Sequence, residues 1–151
     1  MKRVLLFLVT TVVFSITACS SNDDSLSNPS PTSNFFNATI GTAEFATNDI
    51  VLAEVSAGGT QAFVATGANG VSFSSAIFPN QFPIGQAVNI AYSSSITYKV
   101  GDVIYIPNSG TMTLEIMQNY KRMKGSFSGT FVGGTPATEI VISGTFDVQN
   151  P

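Results

Sequence analysis

The chain has 151 residues, of which 44% are hydrophobic and only 10% are charged, and it contains no histidine, no tryptophan and a single cysteine. Ser-His-Asp and Cys-His catalytic sets, and zinc sites built from His and Cys, are therefore excluded for this chain by itself. The net charge of −3 argues against nucleic acid as a partner, because phosphates attract basic proteins.

The first residues are typical of a secretory signal. Lys2 and Arg3 supply positive charge, and residues 4–16 contain no charged side chain. This stretch is shorter than the roughly 20 apolar residues that a membrane-spanning helix needs. We predict that residues 1–18 are a signal peptide. Its removal takes away two cations and makes the mature protein more acidic still.

Cys19 stands where the signal ends. The sequence Ile16-Thr17-Ala18-Cys19 resembles the lipobox of bacterial lipoproteins, in which an aliphatic residue and two small residues precede the acylated cysteine. Because several acyl chains together anchor a protein stably, we expect a diacylglyceryl (palmitate-type) anchor at Cys19 to hold the mature protein on a membrane. An ordinary signal peptide followed by an incidental cysteine is the alternative.

Residues 19–34 form a polar segment after the cysteine, rich in Ser, Asn, Asp, Thr and Pro. Such a composition cannot bury enough apolar surface to offset the entropy of ordering, so it predicts a flexible tether. Its beginning resembles the Ser-plus-acidic export stretch of surface-exposed lipoproteins of the Bacteroidota, on the residues Ser20, Ser21, Asn22, Asp23 and Asp24. This resemblance implies display on the outer membrane surface, with a purely solvated linker on the periplasmic face as the alternative.

From residue 35 onward, apolar and polar residues alternate, and turn-forming residues recur at short intervals. An alternation with period 2 is typical of half-buried β-strands. The pattern predicts ten strands, at residues 35–40, 49–55, 61–66, 71–78, 87–92, 97–100, 103–106, 111–116, 123–131 and 139–148. Turns are predicted between them, including one at residues 107–110, where Pro and Gly lie close together.

Residues 35–151 are thus expected to form one all-β domain. Roughly ten short strands favour an antiparallel β-sandwich, since a flat sheet of that size leaves one face unburied. A small lipocalin-like β-barrel is the alternative, because periodicity does not distinguish a closed sheet from a folded one.

The last three predicted strands are expected to form a meander. Met123, Phe127 and Phe131 share one face, and Gly125 and Gly129 lie between them. Glycines at such positions kink a strand or admit aromatic rings from a facing strand. Three Ser-Gly-Thr triplets, at residues 109–111, 128–130 and 143–145, have unequal spacings and indicate strands and turns rather than an internal repeat.

Several segments resemble a group of uncharacterised β-rich lipoproteins of the Bacteroidota. They are FNATIG at residues 36–41, EFA at 44–46, SGTMTLEI at 109–116, GSFSGTF at 125–131 and ISGTFDV at 142–148. The resemblance implies a β fold and a lipoprotein context, and it carries over no activity and no site.

A basic segment reads NYKRMK at residues 119–124. As the tip of a hairpin, Tyr120, Lys121, Arg122 and Lys124 would offer an acidic sugar or a lipid phosphate charge-assisted hydrogen bonds. A solvated turn that discourages edge-to-edge aggregation is the plainer interpretation. Tyr92, Tyr98 and Tyr105 lie in neighbouring predicted strands and are candidates for a sugar-stacking platform or for half-buried sheet residues.

Catalysis by paired carboxylates needs two acids that converge on one cleft. The acidic residues of the domain lie at turns or on polar strand faces, and Glu115 and Glu139 are the pair most able to approach each other. We expect no enzyme, no cofactor and no metal. The expected function is a lipid-anchored envelope module that binds a glycan or mediates adhesion, or alternatively a protein-interaction subunit of an outer-membrane complex.

Overall fold

The computed structural model describes residues 34–55, 59–93 and 95–150. Ten antiparallel strands make up most of this part, so the all-β prediction is confirmed. The strands are β1 (Phe35–Ile40), β2 (Ala43–Thr47), β3 (Ile50–Glu54), β4 (Gln61–Thr66), β5 (Val71–Ile77), β6 (Ala87–Asn89), β7 (Thr97–Val100), β8 (Val103–Gln118), β9 (Arg122–Gly133) and β10 (Thr138–Gln149). Two 3₁₀ turns lie at Ala68–Gly70 and Pro79–Gln81.

All ten strands belong to one hydrogen-bonded sheet. Its order is β2-β1-β10-β9-β8-β7-β5-β4-β3, and β6 pairs with β8 beside β7. The two edge strands, β2 and β3, are consecutive in the chain. The hydroxyl of Thr47, the last residue of β2, donates at 2.7 Å to the carbonyl oxygen of Thr66, the last residue of β4, which is paired with β3. The sheet is therefore nearly closed into a barrel, as in the barrel alternative. Its side-chain core lies between opposite walls of this sheet.

Phenylalanine rings fill the interior. Phe36 lies 4.6 Å from Phe73 and 5.9 Å from Phe127, measured between ring centroids, and Phe63 lies 4.7 Å from Phe146. All five rings are buried, and they come from five different strands. Aromatic pairs at these separations add to the stabilisation from burial itself. The core thus joins β1, β9 and β10 to β4 and β5 across the interior of the sheet.

Strands β8, β9 and β10 form the predicted meander, and the interior glycines of β9 and β10 admit rings. Gly125 is paired with Phe146, and Gly144 with Phe127. A Cβ on Gly144 would lie 2.7 Å from the ring of Phe127, closer than real side chains approach. These glycines therefore provide the space that lets neighbouring rings lie flat over the sheet.

The predicted turn at residues 107–110 is wrong. β8 continues through this stretch, and the chain bulges between Pro107 and Ser109 instead of reversing. A bulge accommodates a proline, which has no N–H for the ladder, and the Pro107 carbonyl accepts a hydrogen bond from the N–H of Tyr92 at 2.7 Å. The predicted strand at 87–92 is shorter, ending at Asn89, and β2 was not predicted.

Candidate functional site

The residues of the basic segment do not converge on one ligand position. Tyr120 and Lys121 lie in the turn between β8 and β9, whereas Arg122 and Lys124 are in β9. Arg122 donates two hydrogen bonds to Asp147, at 2.9 and 2.6 Å, which raise the pKa of its guanidinium. Two of the other three are also engaged: Lys124 forms an ion pair with Glu115, and a hydrogen bond to Glu54 raises the pKa of Tyr120. Lys121 is exposed in the turn.

The three tyrosines do not build a continuous platform. Tyr98 is buried and lies opposite Tyr105 in the β7–β8 pair, with ring centroids 5.5 Å apart. Tyr92 lies in the loop after β6 and is 77% exposed. Two of the three are therefore sheet residues whose rings pack on each other.

The two acids singled out from the sequence also have separate partners. Glu115 pairs with Lys124, and Glu139 accepts a hydrogen bond from the Asn108 amide at 3.3 Å. Within residues 34–55, 59–93 and 95–150, no group of three or more His, Cys, Asp or Glu is placed to hold a metal ion. Cys19 and residues Ser20, Ser21, Asn22, Asp23 and Asp24 lie outside the described residues.

A shallow groove lies on the outer face of β1, β2, β9 and β10. Its volume is about 390 Å³. Ala38, Phe127 and Gly144 also line it, at strand positions that face the core. The side chains that line it are uncharged except for one: Asn37, Thr39, Ser126, Ser143, Thr145 and the carboxylate Glu44.

Strand alternation explains why these residues are together. On β1, Phe36 and Ala38 are buried, so Asn37 and Thr39 project outward. On β10, Ile142 and Phe146 point inward, so Ser143 and Thr145 project outward. The pairing of β1 with β10 then sets Asn37 opposite Thr145 and Thr39 opposite Ser143.

Hydrogen bonding leaves most of the groove available to a ligand. The Thr39 hydroxyl lies 3.1 and 3.3 Å from the two carboxylate oxygens of Glu44 and donates to them. In the described part of the chain, the hydroxyls of Ser126, Ser143 and Thr145 have no hydrogen-bond partner among protein groups. Such a surface presents donors and acceptors together and holds no positive charge. It suits a neutral, hydroxyl-rich molecule better than a phosphate or a carboxylate.

Sequence reasoning did not assemble this groove. In the sequence, Asn37, Thr39 and Glu44 stand out only as members of the segments that resemble lipoproteins. A usable signal was present in the Ser-Gly-Thr triplet of β10, residues 143–145, whose Ser and Thr both project outward and line the groove.

Comparisons with protein-family models, with curated proteins and with solved structures find no match. No helix among the described residues is long and apolar enough to cross a membrane. The assignment of a function therefore depends on the groove itself and on the signals in the leader.

Proposed function

We propose that this protein is a non-catalytic, glycan-binding module of the bacterial cell envelope, anchored by lipid to the outer membrane and displayed at the cell surface. The single observation that carries the glycan assignment is the groove on β1, β2, β9 and β10. It presents hydroxyl, amide and carboxylate groups on a rigid sheet, as recognition of sugar hydroxyls requires.

The composition of the groove also bears on catalysis. Glu44 is its one titratable side chain, and a glycosidase mechanism needs a second acid facing the first across the substrate. The groove therefore supports binding rather than hydrolysis. Turnover of a glycan that is abolished by Glu44→Gln would contradict this part of the proposal.

Binding is tested by affinity electrophoresis of the purified full chain through gels that contain a neutral polysaccharide such as mannan, laminarin or hydroxyethyl cellulose. We expect one of these polymers to retard the protein, and Ser143→Ala with Thr145→Val to reduce the retardation. Ser74→Ala is the control, since Ser74 is exposed on the outer face of β5, away from the groove, where its hydroxyl is hydrogen-bonded to that of Thr97 at 2.7 Å. Migration unaffected by every neutral polymer would contradict glycan binding.

The anchor rests on Cys19 and its lipobox-like context. Metabolic labelling with a palmitate analogue should mark the wild-type protein and leave Cys19→Ala unlabelled. Protease shaving of intact cells should release the domain, and Asp23→Ala with Asp24→Ala should protect it by retaining it on the periplasmic side. Label in the Cys19→Ala protein, or equal protection of both strains, would contradict the anchor or the surface display respectively.

An apolar patch favours a second candidate, a protein-interaction subunit of an outer-membrane complex. Ile106 and Val132 are paired on the outer face of β8 and β9, and Ile104 and Val141 are 56% and 62% exposed on the same face. Exposed patches of this kind mark protein contacts. Affinity capture from solubilised membranes that is lost in Ile104→Lys, without loss of polysaccharide retardation, would favour this function.

A further inference from the structure

The groove is one end of a wider array of polar side chains. Cross-strand pairing places one outward-facing residue from each of six strands in register, a set termed the long row: Glu44, Thr39, Ser143, Ser128, Thr111 and Asn89. The next outward position on each strand gives the short row, in which Ala46 and Ala87 flank four polar residues: Asn37, Thr145, Ser126 and Thr113.

The dimensions of the array follow from sheet geometry. Neighbouring strands lie about 4.8 Å apart, so five spacings give the long row a length of roughly 24 Å. The two rows are separated by two residues along each strand, or about 6.8 Å. The groove occupies only the β2, β1, β10 and β9 part of this surface. Because the sheet is nearly closed into a barrel, the row follows its convex outer surface. A ligand that fits the whole array is therefore long, narrow and curved around the strands that it crosses.

The side chains of the array are accessible. Ser128, Thr111 and Asn89 are exposed, and so is Ser143 at the groove end. Among the described residues, the hydroxyls of Ser128, Thr111 and Ser143 form no hydrogen bond with another protein group. The Asn89 side chain accepts one from the N–H of Ala91 at 2.7 Å, which fixes its carbonyl and leaves its amide N–H groups pointing elsewhere.

The chemistry of the array discriminates between ligand classes. It contains no Lys and no Arg, and Lys124, the next outward residue of β9 beyond Ser126, is paired with Glu115. A phosphate or an acidic polymer therefore meets no unpaired cation in the array, and Glu44 repels both. It contains no large apolar or aromatic side chain, whereas the core of a stable protein interface is enriched in such residues. Hydroxyl and amide groups both donate and accept, and this matches the hydroxyls of a neutral sugar chain.

We propose that the long and short rows bind an extended, uncharged polysaccharide that lies across β1, β10, β9 and β8 and continues beyond the groove. This inference rests on the proposed glycan-binding function and adds to it the polymer class, the direction of the chain and the residues at its far end. Each sugar contacts a different strand, so affinity rises with the length of the oligosaccharide until the row is filled.

The test uses the purified full chain with neutral oligosaccharides, from disaccharide to octasaccharide, derived from whichever of mannan, laminarin or cellulose retards it in gels. Calorimetric titration gives the dissociation constant for each length. Thr111→Val removes a hydroxyl at the far end while keeping the shape and β-propensity of the side chain, and Ser143→Ala removes one in the groove. Ser128→Ala is the second far-end variant, and Ser74→Ala is the control.

We expect Ser143→Ala to weaken binding of every length. Thr111→Val and Ser128→Ala should weaken binding of the long oligosaccharides by about three- to tenfold, the effect of losing one hydrogen bond, and leave the shortest ones unchanged. Ser74→Ala should bind as the wild type does, and Ser143→Ala, Thr111→Val and Ser128→Ala should keep the wild-type melting temperature.

Two outcomes overturn the inference while leaving glycan binding intact. The first is an affinity that does not increase for oligosaccharides longer than the disaccharide. The second is an affinity for the long oligosaccharides that Thr111→Val and Ser128→Ala both leave unchanged. Preference for polygalacturonate over neutral polymers would overturn the assignment of an uncharged ligand. Absence of binding to any glycan, or self-association through these rows in sedimentation experiments, would overturn the proposed function together with the inference.

Discussion

Arg122 on β9 and Asp147 on β10 form a two-pronged ion pair on the outer side of the sheet. The guanidinium donates from Nε and from a terminal nitrogen, at 2.9 and 2.6 Å, to the two carboxylate oxygens. The residues are diagonal neighbours, because Asp147 is paired directly with Lys124 and Arg122 with Gln149. Asp147 is only 5% exposed although strand alternation points it outward, since the arginine covers it.

Removing this carboxylate should destabilise the domain. Asp147→Asn leaves a partly covered guanidinium without its charge partner, and we expect the free energy of unfolding to fall by about 1–3 kcal/mol. Glu115→Gln is the matched control, because it breaks an ion pair whose side chains are far more exposed and whose loss costs about 0–1 kcal/mol. Urea denaturation of both variants measures the difference. Equal losses would contradict a special role for Arg122 and Asp147.

Replacing the polar side chain of Gln61 should stabilise the domain, in contrast to the replacement of Asp147. It is fully buried at the start of β4, and neither its amide nitrogen nor its amide oxygen has a hydrogen-bond partner in the described part of the protein. A buried polar group without a partner costs roughly 1–3 kcal/mol. Gln61→Met keeps the volume and removes the polar atoms, so we expect a higher melting temperature, measured by calorimetry.

Gln61→Glu serves as the counterpart, because it buries a charge in the same place and should lower the melting temperature. A fall in stability for Gln61→Met, as well as for Gln61→Glu, would show that the amide is satisfied in solution.

Two glycines with close neighbours should differ in their tolerance of alanine. A Cβ on Gly129 would meet the backbone of β8 at the carbonyl of Ser109 and the Cα of Gly110, neither of which can move without disturbing the ladder. The nearest atoms to a Cβ on Gly67 would be ring carbons of Phe45, a half-buried side chain rather than backbone. We expect Gly129→Ala to cost about 1–3 kcal/mol by overpacking and Gly67→Ala to cost less.

Urea midpoints of the two alanine variants test this contrast. A larger loss for Gly67→Ala than for Gly129→Ala would mean that the Phe45 ring is more firmly held than the β8–β9 backbone. The same measurement on Gly85→Ala, where a Cβ meets no neighbour but φ is +76°, separates steric crowding from backbone strain.

Tyr98 makes stability depend on alkaline pH. Burial, and then the charge that neighbouring Tyr105 acquires, raise the pKa of Tyr98 above its ordinary value of 10.0. Between the unfolded and the folded pKa, the unfolded chain has lost this proton while the folded chain still holds it. Stability is therefore fully present below about pH 10 and is lost as pH rises through the folded pKa.

Tyrosinate absorbance during a pH titration, together with urea midpoints at each pH, measures this effect. Above the ordinary tyrosine pKa, we expect the urea midpoint of Tyr98→Phe to fall less with rising pH than that of the wild type. Identical pH profiles for the wild type and Tyr98→Phe would contradict the assignment.

Alternation of apolar and polar residues was sufficient to predict most strands and the faces that they bury. Met123, Phe127 and Phe131 were assigned to one face, and all three are in the core. The rule depends only on local backbone geometry, because successive side chains of a strand point to opposite sides. It failed at residues 107–110, where Pro and Gly, which commonly mark turns, belong to a bulge inside one long strand.

The candidate site was not predictable in the same way. Ser128 and Ser143 each lie in a Ser-Gly-Thr triplet that indicates a strand, but nothing local states that the two serines are paired. The basic segment, by contrast, was easily seen, yet Arg122 is held by a residue 25 positions away in the chain. Pairing between strands distant in the chain can bring residues together into a site. It can also engage a side chain with a protein partner, so that the side chain is no longer free to bind a ligand.

The sequence by itself determined that the domain from residue 35 is all-β, through its alternation of apolar and polar residues. It also carries the signals that predict a leader and an acylated Cys19. Only the tertiary structure decided that one sheet curls until β2 and β3 meet, and that outward-facing residues of six strands fall into register. The physical reason is that alternation fixes a side chain's face within its own strand. Register depends on hydrogen bonds between distant strands and on the lengths of their connections.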